Sequence, residues 1–424
     1  MINRRRVLGS LTGAVGLSLV GGRASFGADR KLSIISHAVH KQVVTVGPGG
    51  DLAGGWATQN GYSLGWQTYG IAATNEHALR EASLAESNID VVFLLDRYMA
   101  PQYARLFEDL SDYNKKEPIT NFDEIPLGMR AAHTFGNRLA AIPFRHATHG
   151  LHYNTALLSE RGIAGPPKSV AELLDVVKKL TYTRDDGTRV YGLALAMDDP
   201  SAPIDWIRGF GGDFITPDYK VVIDTQETID CVTMLCELVK HNLMPKNTTN
   251  LKSEDLINMM QQGRAAMTNH PFGRHTNYND PKASKFSGKI SVSPLPLGLD
   301  GRPTPAKTSV WGIAIPRNAK DKPMSWNFIR HLSEPENTVR AAMNSNGPVR
   351  PSAYDDVRVS AAVPYAAAEK EATKTARLVV PSFPEAQRSM DIFMEELGLA
   401  LLGHKTPKDA MANIRRRVEP LLPS

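Results

Sequence analysis

Residues 141–154 read AIPFRHATHGLHYN and join two strand-like runs through a polar segment. Pro143 is predicted to end the first run, 138–142, because proline lacks the N–H that a central strand needs. The segment after it contains one arginine and three histidines at steps of three: Arg145, His146, His149 and His152. Neutral imidazole is a common metal ligand, so a metal site is one interpretation. A ligand cleft lined by Arg145 or His146 is the second, and purely structural roles are the third.

On both sides of this stretch, short strand-like runs alternate with helical patterns, which is typical of an α/β protein. The clearest strand-like runs are 32–35, 62–69, 90–95, 138–142, 192–196, 289–293 and 312–315. The chain has 424 residues, about three times the ~150 expected for one domain, so two domains or lobes are expected. No flexible linker separates them, which predicts that the chain crosses between two lobes more than once.

The composition is that of an ordinary globular protein, with 42% hydrophobic and 22% charged residues. Much of the formal charge of +5 lies in residues 1–28, which contain no acid and four arginines: Arg4, Arg5, Arg6 and Arg23. Removing these four from the 49 basic residues leaves 45 against 44 acidic ones, so no overall field favours a nucleic-acid partner. Cys231 and Cys236 lie five residues apart in a helical pattern, about 7.5 Å of rise, and are expected to be free thiols.

Residues 1–28 have the pattern of a cleavable secretory signal peptide. A cationic start precedes a weakly apolar stretch at 7–20, and small residues follow at 24–28. The adjacent Arg4 and Arg5 resemble a twin-arginine export signal. An ordinary signal peptide is the alternative, whereas the apolar stretch is too short for a membrane anchor. The sequence therefore predicts a periplasmic protein.

Several longer motifs follow one another in the rest of the chain. They are AIP at 141–143, GLHYN at 150–154, PKSVAEL at 167–173, GRAAM at 263–267, WGIAIP at 311–316, SWNFI at 325–329 and NGP at 346–348. In this order they resemble the family 1 extracellular solute-binding proteins of ABC importers, whose best-known members bind maltose and other carbohydrates. The resemblance covers nearly the whole chain after residue 28. It implies an α/β, two-lobed, type II periplasmic binding protein fold with a hinge between the lobes.

The resemblance also implies lobe boundaries, partners and mode of action. Residues 29–143 and 294–335 are expected in an N-terminal lobe, and residues 144–293 and 336–424 in a C-terminal lobe. A monomer of this family captures a small-molecule solute, here a carbohydrate or related polar compound, and delivers it to the ABC permease subunits. The resemblance implies no cofactor, no metal and no catalysis. Residues 36–51 depart from the family pattern and leave the ligand open.

Candidate ligand-binding residues come from predicted strand ends, where open α/β sheets place ligands, and from positions that line the cleft in the family. They are His37, Asp96, Arg97, Tyr98, Arg145, His146, Trp206, Asn269, Phe272, Trp311 and Arg350. Trp311 stands at a family cleft position, and an indole stacks well on the apolar face of a sugar. The candidate positions offer one carboxylate, Asp96, against four arginines: Arg97, Arg145, Arg274 and Arg350. This imbalance favours an acidic or phosphorylated ligand, with a neutral sugar or polyol as the alternative.

Two other functions stay open from the sequence. The first is a secreted metal- or cofactor-dependent enzyme, which would suit an export signal for folded proteins. The chain has no nucleophile elbow, zinc-protease motif, phosphate-binding loop or dinucleotide fingerprint, so we expect it not to be an enzyme. The second is an inorganic-ion binder of the same fold, and the adjacent tyrosine pair typical of ferric-ion relatives is not seen.

Overall fold

The computed structural model describes residues 30–198 and 200–423. The leader expected at residues 1–28 lies outside the described residues and stays an expectation. Within the described ranges the strands are β1 (Arg30–His37), β2 (Tyr62–Tyr69), β3 (Val91–Leu95), β4 (Thr134–Phe135), β5 (Arg138–Leu139), β6 (Ile142–His146), β7 (His149–Asn154), β8 (Tyr182–Thr183), β9 (Arg189–Leu193), β10 (Ala265–Pro271), β11 (Ile290–Ser293) and β12 (Val310–Ala314).

Helices cover both sheets and occupy much of the last third of the chain. They are α1 (Ala38–Thr45), α2 (Leu52–Asn60), α3 (Ile71–Ser83), α4 (Pro101–Ala104), α5 (Leu110–Lys116), α6 (Leu127–Ala131), α7 (Thr155–Glu160), α8 (Val170–Lys179), α9 (Ser201–Gly209), α10 (Gln226–Lys240), α11 (Ser253–Gln261), α12 (His275–Tyr278), α13 (Lys322–Ser333), α14 (Pro335–Met343), α15 (Val357–Ala362), α16 (Ala366–Thr373), α17 (Ala386–Leu401) and α18 (Pro407–Val418). Short 3-10 helices lie at Asp96–Tyr98, Phe122–Glu124, Thr248–Asn250, Phe272–Arg274, Pro351–Asp355 and Glu419–Leu421. In this part of the chain, no helix is both long and apolar enough to cross a membrane.

Among the described residues, the strands form two five-stranded sheets and a separate β4-β5 pair. The first sheet has the order β2-β1-β3-β12-β6, in which β12 runs antiparallel to both neighbours. The second sheet has the order β11-β7-β10-β9-β8. We call the first sheet with its packed helices the N-lobe, and the second sheet with its packed helices the C-lobe. The predicted α/β class is confirmed.

The N-lobe sheet is buried on both faces, because successive side chains of a strand point to opposite sides. In β3, Val91, Phe93 and Leu95 pack in the cluster that contains residues of α1, α2 and α13. Val92 and Leu94 pack on the other face with residues of α3. A central strand with two covered faces requires an uninterrupted apolar run, and VVFLL at 91–95 supplies it.

The chain passes between the lobes at residues 146–149, 307–309 and 344–350, and these segments lie side by side. Backbone hydrogen bonds join them: Ala147 N donates to Ser309 O at 2.9 Å, His149 N to Lys307 O at 2.9 Å, and His146 N to Gly347 O at 3.1 Å. At Gly347 a Cβ would lie 2.2 Å from the backbone oxygen of His146, so the third segment requires glycine there. The three bonded segments form the hinge region.

Two of the predicted lobe boundaries need correction because of how the hinge segments pair. β6 continues through Pro143 to His146, and the strand does not end at the proline. This is possible because β6 is an edge strand, where proline interrupts no internal ladder. Residues 294–306 pack with the C-lobe, where Val170 N donates to Leu297 O at 2.8 Å.

The third predicted boundary, at 336, falls inside α14. Helix α14 contacts α1, α2 and α13 of the N-lobe, and it also packs against α15 and the 3-10 helix Pro351–Asp355. Just beyond it, the Nδ2 group of Asn344 donates to Val43 O at 2.9 Å, and its Oδ1 accepts from Gly49 N at 2.7 Å. The stretch around GPGG at 47–50 is thus fixed to the N-lobe by a segment far along the chain.

The prediction that Cys231 and Cys236 are free thiols is confirmed. Both lie in α10. β8 and β9 pair antiparallel across a turn that includes Gly187, whose φ of 81° favours glycine.

Candidate functional site

A group of aromatic and basic side chains lies where β1 and β6 end and β12 begins, at one end of the N-lobe sheet. Arg145 of β6 lies opposite Trp311 of β12 in the antiparallel register. The Trp311 ring centroid lies 4.5 Å from that of His40 and 6.1 Å from that of His37. His37 ends β1, and its Nδ1 accepts a hydrogen bond from Val39 N at 3.3 Å, which caps α1. We call His37, His40, Arg145 and Trp311 the N-lobe wall.

Tyr354, Tyr365 and Glu369 form the opposite side, which we call the C-lobe wall. Helix α16, which contains Glu369 and is capped by Tyr365, packs on β7 and β11. All three side chains are buried. The Tyr354 hydroxyl is hydrogen-bonded to His146 Nε2 at 2.8 Å, and Glu369 Oε1 lies 4.0 Å from His146 Nδ1. Because His146 ends β6, the two walls meet at this histidine.

Burial favours the neutral forms of Glu369 and His146. Burial raises the pKa of Glu369 to about 8, although the Tyr354 hydroxyl and the Arg145 charge act in the opposite direction. Burial and the charge of Arg145 together lower the pKa of His146 to about 3. At neutral pH the Glu369 carboxyl is therefore mostly protonated and His146 is uncharged.

Arg145 is the principal charged group at this junction. Its Nε is buried and has no hydrogen-bond partner in the described part of the chain. Burial lowers the pKa of Arg145, Tyr365 and Glu369 oppose this shift, and the charge of Arg274 reinforces it. Arg274 ends the 3-10 helix Phe272–Arg274 of the C-lobe. Two cations from different lobes thus lie near each other.

A second polar network lies inside the C-lobe and is centred on Asp205 of α9. Its Oδ2 accepts from Asn269 Nδ2 at 2.9 Å and is hydrogen-bonded to His149 Nδ1 at 2.7 Å. Its Oδ1 accepts from the backbone N of Lys307 at 2.6 Å. Trp206 Nε1 donates to Asn269 Oδ1 at 2.9 Å. This buried network attaches α9, β7 and β10 to the second hinge segment.

Asp96 follows β3 and lies at the hinge. Its Oδ1 accepts from Val310 N at 3.1 Å, and its backbone oxygen accepts from Ser382 Oγ at 3.2 Å. Burial raises the pKa of Asp96, and the charge of Lys307 opposes this shift. Beside it, the Arg97 guanidinium lies 5.4 Å from the ring centroid of Tyr98.

The structure brings part of the predicted ligand set together. His37, Arg145 and Trp311 lie in the N-lobe wall, and His146 contacts the C-lobe wall. Asp96, Arg97 and Tyr98 form a separate group at the hinge. Their contact with a ligand stays a prediction.

Four predicted ligand residues lie in packed interiors: Trp206, Asn269, Phe272 and Arg350. Trp206 and Asn269 use their polar groups within the Asp205 network. Phe272 packs so closely on Gly150 that a Cβ there would lie 2.2 Å from its ring. Arg350 is only 1% exposed and donates to the backbone oxygens of Thr120, Asn121 and Ser333. The expectation that Arg350 faces the cleft is corrected, because its guanidinium holds the fold together.

Sequence reasoning missed most of the groups that surround Arg145 from the C-lobe, and it missed Asp205 and Lys307. Glu369 stands in the alanine-rich segment PYAAAEKEAT, 364–373, where a carboxylate is typical of a solvent-facing helix. The one available signal was the spacing of four between Tyr365 and Glu369, which places both on one helical face.

The three histidines at steps of three have separate partners and do not converge. His146 bonds to Tyr354, His149 to Asp205, and His152 Nε2 lies 3.2 Å from the backbone oxygen of His270. Among the described residues, no group of three or more His, Cys, Asp or Glu side chains could hold a metal ion.

Sequence comparisons show which known proteins this chain resembles. The family model for bacterial extracellular solute-binding proteins matches residues 78–339, more than half of the chain. A probable ABC transporter-binding protein of Deinococcus radiodurans is 26% identical over 266 residues. That match covers 61% of this chain and 62% of the relative, so it spans less than two thirds of the relative's length.

Solved structures share the fold over nearly the whole chain. Maltose-bound MalE3 of T. maritima is 22% identical with a TM-score of 0.76, over 92% of this chain and 100% of that chain. The GacH receptor of Streptomyces glaucescens is 20% identical with a TM-score of 0.77, over 92% and 98%. A ribitol-bound ABC transporter solute-binding protein of Agrobacterium radiobacter K84 is 21% identical with a TM-score of 0.74, over 93% and 99%. These likenesses confirm the predicted two-lobed periplasmic binding protein fold.

Proposed function

Because the chain belongs to the bacterial extracellular solute-binding protein family, we propose that it is the substrate-binding protein of an ABC importer. Its ligand is a carbohydrate, polyol or related polar solute held between the N-lobe and C-lobe walls. The observation that supports this most directly is the meeting of both walls at the end of β6, next to the hinge. Aromatic and polar side chains from both lobes combine there, as recognition of a hydroxylated ligand requires.

Binding at this place couples the ligand to lobe closure. The hinge region consists of three short segments joined by backbone bonds, and each lobe has its own core. A ligand that contacts both walls stabilises the closed arrangement by its differential affinity for it. The closed surface is what the ABC permease recognises, and the protein acts as a monomer without chemical conversion of its ligand.

The family is extracellular, so we propose export by the leader at residues 1–28 and a periplasmic location. The twin-arginine pattern at Arg4 and Arg5 supports export in the folded state. Replacing both with lysine and fractionating cells tests this: an unchanged periplasmic level would contradict it.

A ligand panel combined with small-angle scattering tests the proposed function. Maltose, ribitol, tagatose and mannitol, together with their oxidised and phosphorylated derivatives, are screened by thermal shift on the mature protein. The compound that stabilises it is expected to reduce the radius of gyration at saturation, because the lobes close around it. Stabilisation without any change in the radius would contradict closure, and a shift with metal salts alone would favour an ion binder.

Replacing Trp311 is expected to weaken ligand binding by ~2 to 4 kcal/mol, the range for a central aromatic anchor. Trp311→Ala also removes a side chain that is only 6% exposed, so it lowers the free energy of unfolding as well. Trp66→Ala is the matched control, because Trp66 lies in the edge strand β2 of the same sheet. Isothermal titration measures the ligand affinity of both variants. Equal binding losses in the two would show that Trp311 acts only through stability.

A further inference from the structure

The Arg145 guanidinium has no hydrogen bond or ion pair to another described residue, and its Nε is buried. Glu369 is the carboxyl group that acts on the pKa of Arg145, and burial raises the pKa of that carboxyl to about 8. Tyr354, Tyr365 and His146, which also face this pair, are uncharged at pH 7.

Two other carboxylates near the hinge, those of Asp205 and Asp96, already accept hydrogen bonds from other groups of the protein. Asp205 accepts from Asn269 and from the backbone of Lys307 and is bonded to His149. Asp96 accepts from the backbone of Val310. Counted over the residues that the structure describes, the region between the walls therefore has an excess of positive charge.

Lobe closure makes this excess costly. Excluding water from a guanidinium costs several kcal/mol unless an oppositely charged partner replaces the water. A planar oxyanion meets this need best, because guanidinium donates two parallel hydrogen bonds to it. A neutral hydroxyl accepts hydrogen bonds but leaves the charge uncompensated.

We propose that the ligand of this protein is an acidic sugar or polyol whose carboxylate or phosphate is held by Arg145, with Arg274 supporting it from the C-lobe. This deepens the proposed function and rests on it. The hydroxylated part of the ligand contacts the aromatic groups of the two walls, and the oxyanion lies at the junction beside His146. The protein thus distinguishes an acidic solute from its neutral parent by charge.

Matched pairs of compounds test this on the mature protein. Glucose, galactose and ribitol are compared with glucuronate, galacturonate and ribitol 5-phosphate, so that carboxylate and phosphate form separate arms. Inorganic phosphate is included to test whether an anion binds without a polyol attached to it. We expect at least one acidic member to bind at least ~100-fold more tightly than its neutral parent, the factor that a paired buried charge supplies.

Variants then assign the preference to Arg145. Arg145→Gln is expected to remove the ~100-fold preference for the acid, measured as the ratio of the affinities for the acid and for its neutral parent in the same variant. Arg145→Lys keeps the charge and should retain part of the preference. Arg302→Gln is the control, because the Arg302 side chain is 83% exposed and pairs with Asp300. Circular dichroism confirms that each variant is folded.

The pH dependence supplies an independent readout. As pH rises through about 8, Glu369 ionises and becomes a competing internal counter-charge for Arg145. Affinity for the acid is therefore expected to fall above pH 8 in the natural protein and to stay level in Glu369→Gln. Tyr354 and Tyr365 do not titrate in this range because burial raises the pKa of each.

The outcomes separate the two proposals. Binding of neutral members with equal or greater affinity would overturn the acidic-ligand proposal and leave the solute-binding function standing. An acid preference that survives Arg145→Gln would also overturn it. If inorganic phosphate binds as tightly as the phosphorylated polyol, the site is an anion site and the polyol part of the proposal fails. Failure of every compound to bind or to cause closure would count against the proposed function itself.

Discussion

Lowering the pH from 7 to 4.5 is expected to remove more than about 5 kcal/mol from the free energy of unfolding. Burial lowers the pKa of His133 to about 4 and the pKa of His146 and His152 to about 3. Each must stay neutral in the folded state but is protonated below about pH 6.5 when unfolded. A lowered histidine pKa gives stability that is present above the unfolded pKa and is lost as pH falls.

The size of the effect follows from the pKa differences. Two pH units below the unfolded value cost a little under ~3 kcal/mol for each of the three histidines, or about 8 together. Glu369 acts in the opposite sense, because its raised pKa stabilises the folded state as pH falls, by about 3 kcal/mol over the same range. His40 and His270, whose pKa values burial lowers well below the usual range, add to the loss. The total loss approaches the whole free energy of unfolding of a typical protein.

Chemical denaturation followed by tryptophan fluorescence at several pH values measures this loss. His152→Gln is expected to reduce the loss by about one histidine's share, because glutamine keeps a donor for the backbone oxygen of His270 without a titrating group. His404→Gln, at an exposed position, is the control. A free energy of unfolding that stays constant from pH 7 to 4.5 would show that the folded state does not keep these histidines neutral.

Replacing Asp205 with alanine is expected to lower the free energy of unfolding by ~3 to 5 kcal/mol. The change leaves His149, the Asn269 amide and the Lys307 backbone N–H without their common acceptor inside the C-lobe. Because Lys307 belongs to the second hinge segment, the variant should also lose part of its closure on ligand binding. Thermal and urea unfolding measure the first effect, and scattering with a bound ligand measures the second.

The control for this prediction is Asp218→Ala. Asp218 is exposed and pairs with Lys220 at the surface, so its loss should change stability by less than about 0.5 kcal/mol. Asp205→Asn should fall between the two, since its amide oxygen can still accept from Lys307. An Asp205→Ala variant as stable as Asp218→Ala would mean that water replaces the carboxylate and that the network is not a structural requirement.

The sequence predicted the fold well because its signals are local. The run VVFLL at 91–95 is long enough and apolar enough for a strand with two covered faces. Arg145 and Trp311 could be placed together because the motifs around them belong to neighbouring strands of the family fold.

The failures concern residues whose role depends on distant segments. Arg350 follows a glycine-proline turn, as an exposed arginine would, yet two of its partners are backbone oxygens more than 200 residues earlier. Trp206 Nε1 donates to Asn269, 63 residues later in the chain, which local periodicity cannot show. The sequence predicts that a strand ends at Pro143, but the strand continues because β6 lies at the sheet edge. Whether a strand lies at an edge depends on how distant strands pair, which the local sequence does not show.

The position of β12 between β3 and β6 affects the order in which the molecule can be assembled. A ribosome makes β3 and β6 long before residues 310–314, so the N-lobe sheet has a gap of one strand while the whole C-lobe sheet is being synthesised. The edges of β3 and β6 stay open to wrong pairing during that time. The C-lobe sheet, whose strands lie between residues 149 and 293, can form first. Vectorial synthesis therefore favours an order in which the C-lobe sheet is completed before the N-lobe sheet.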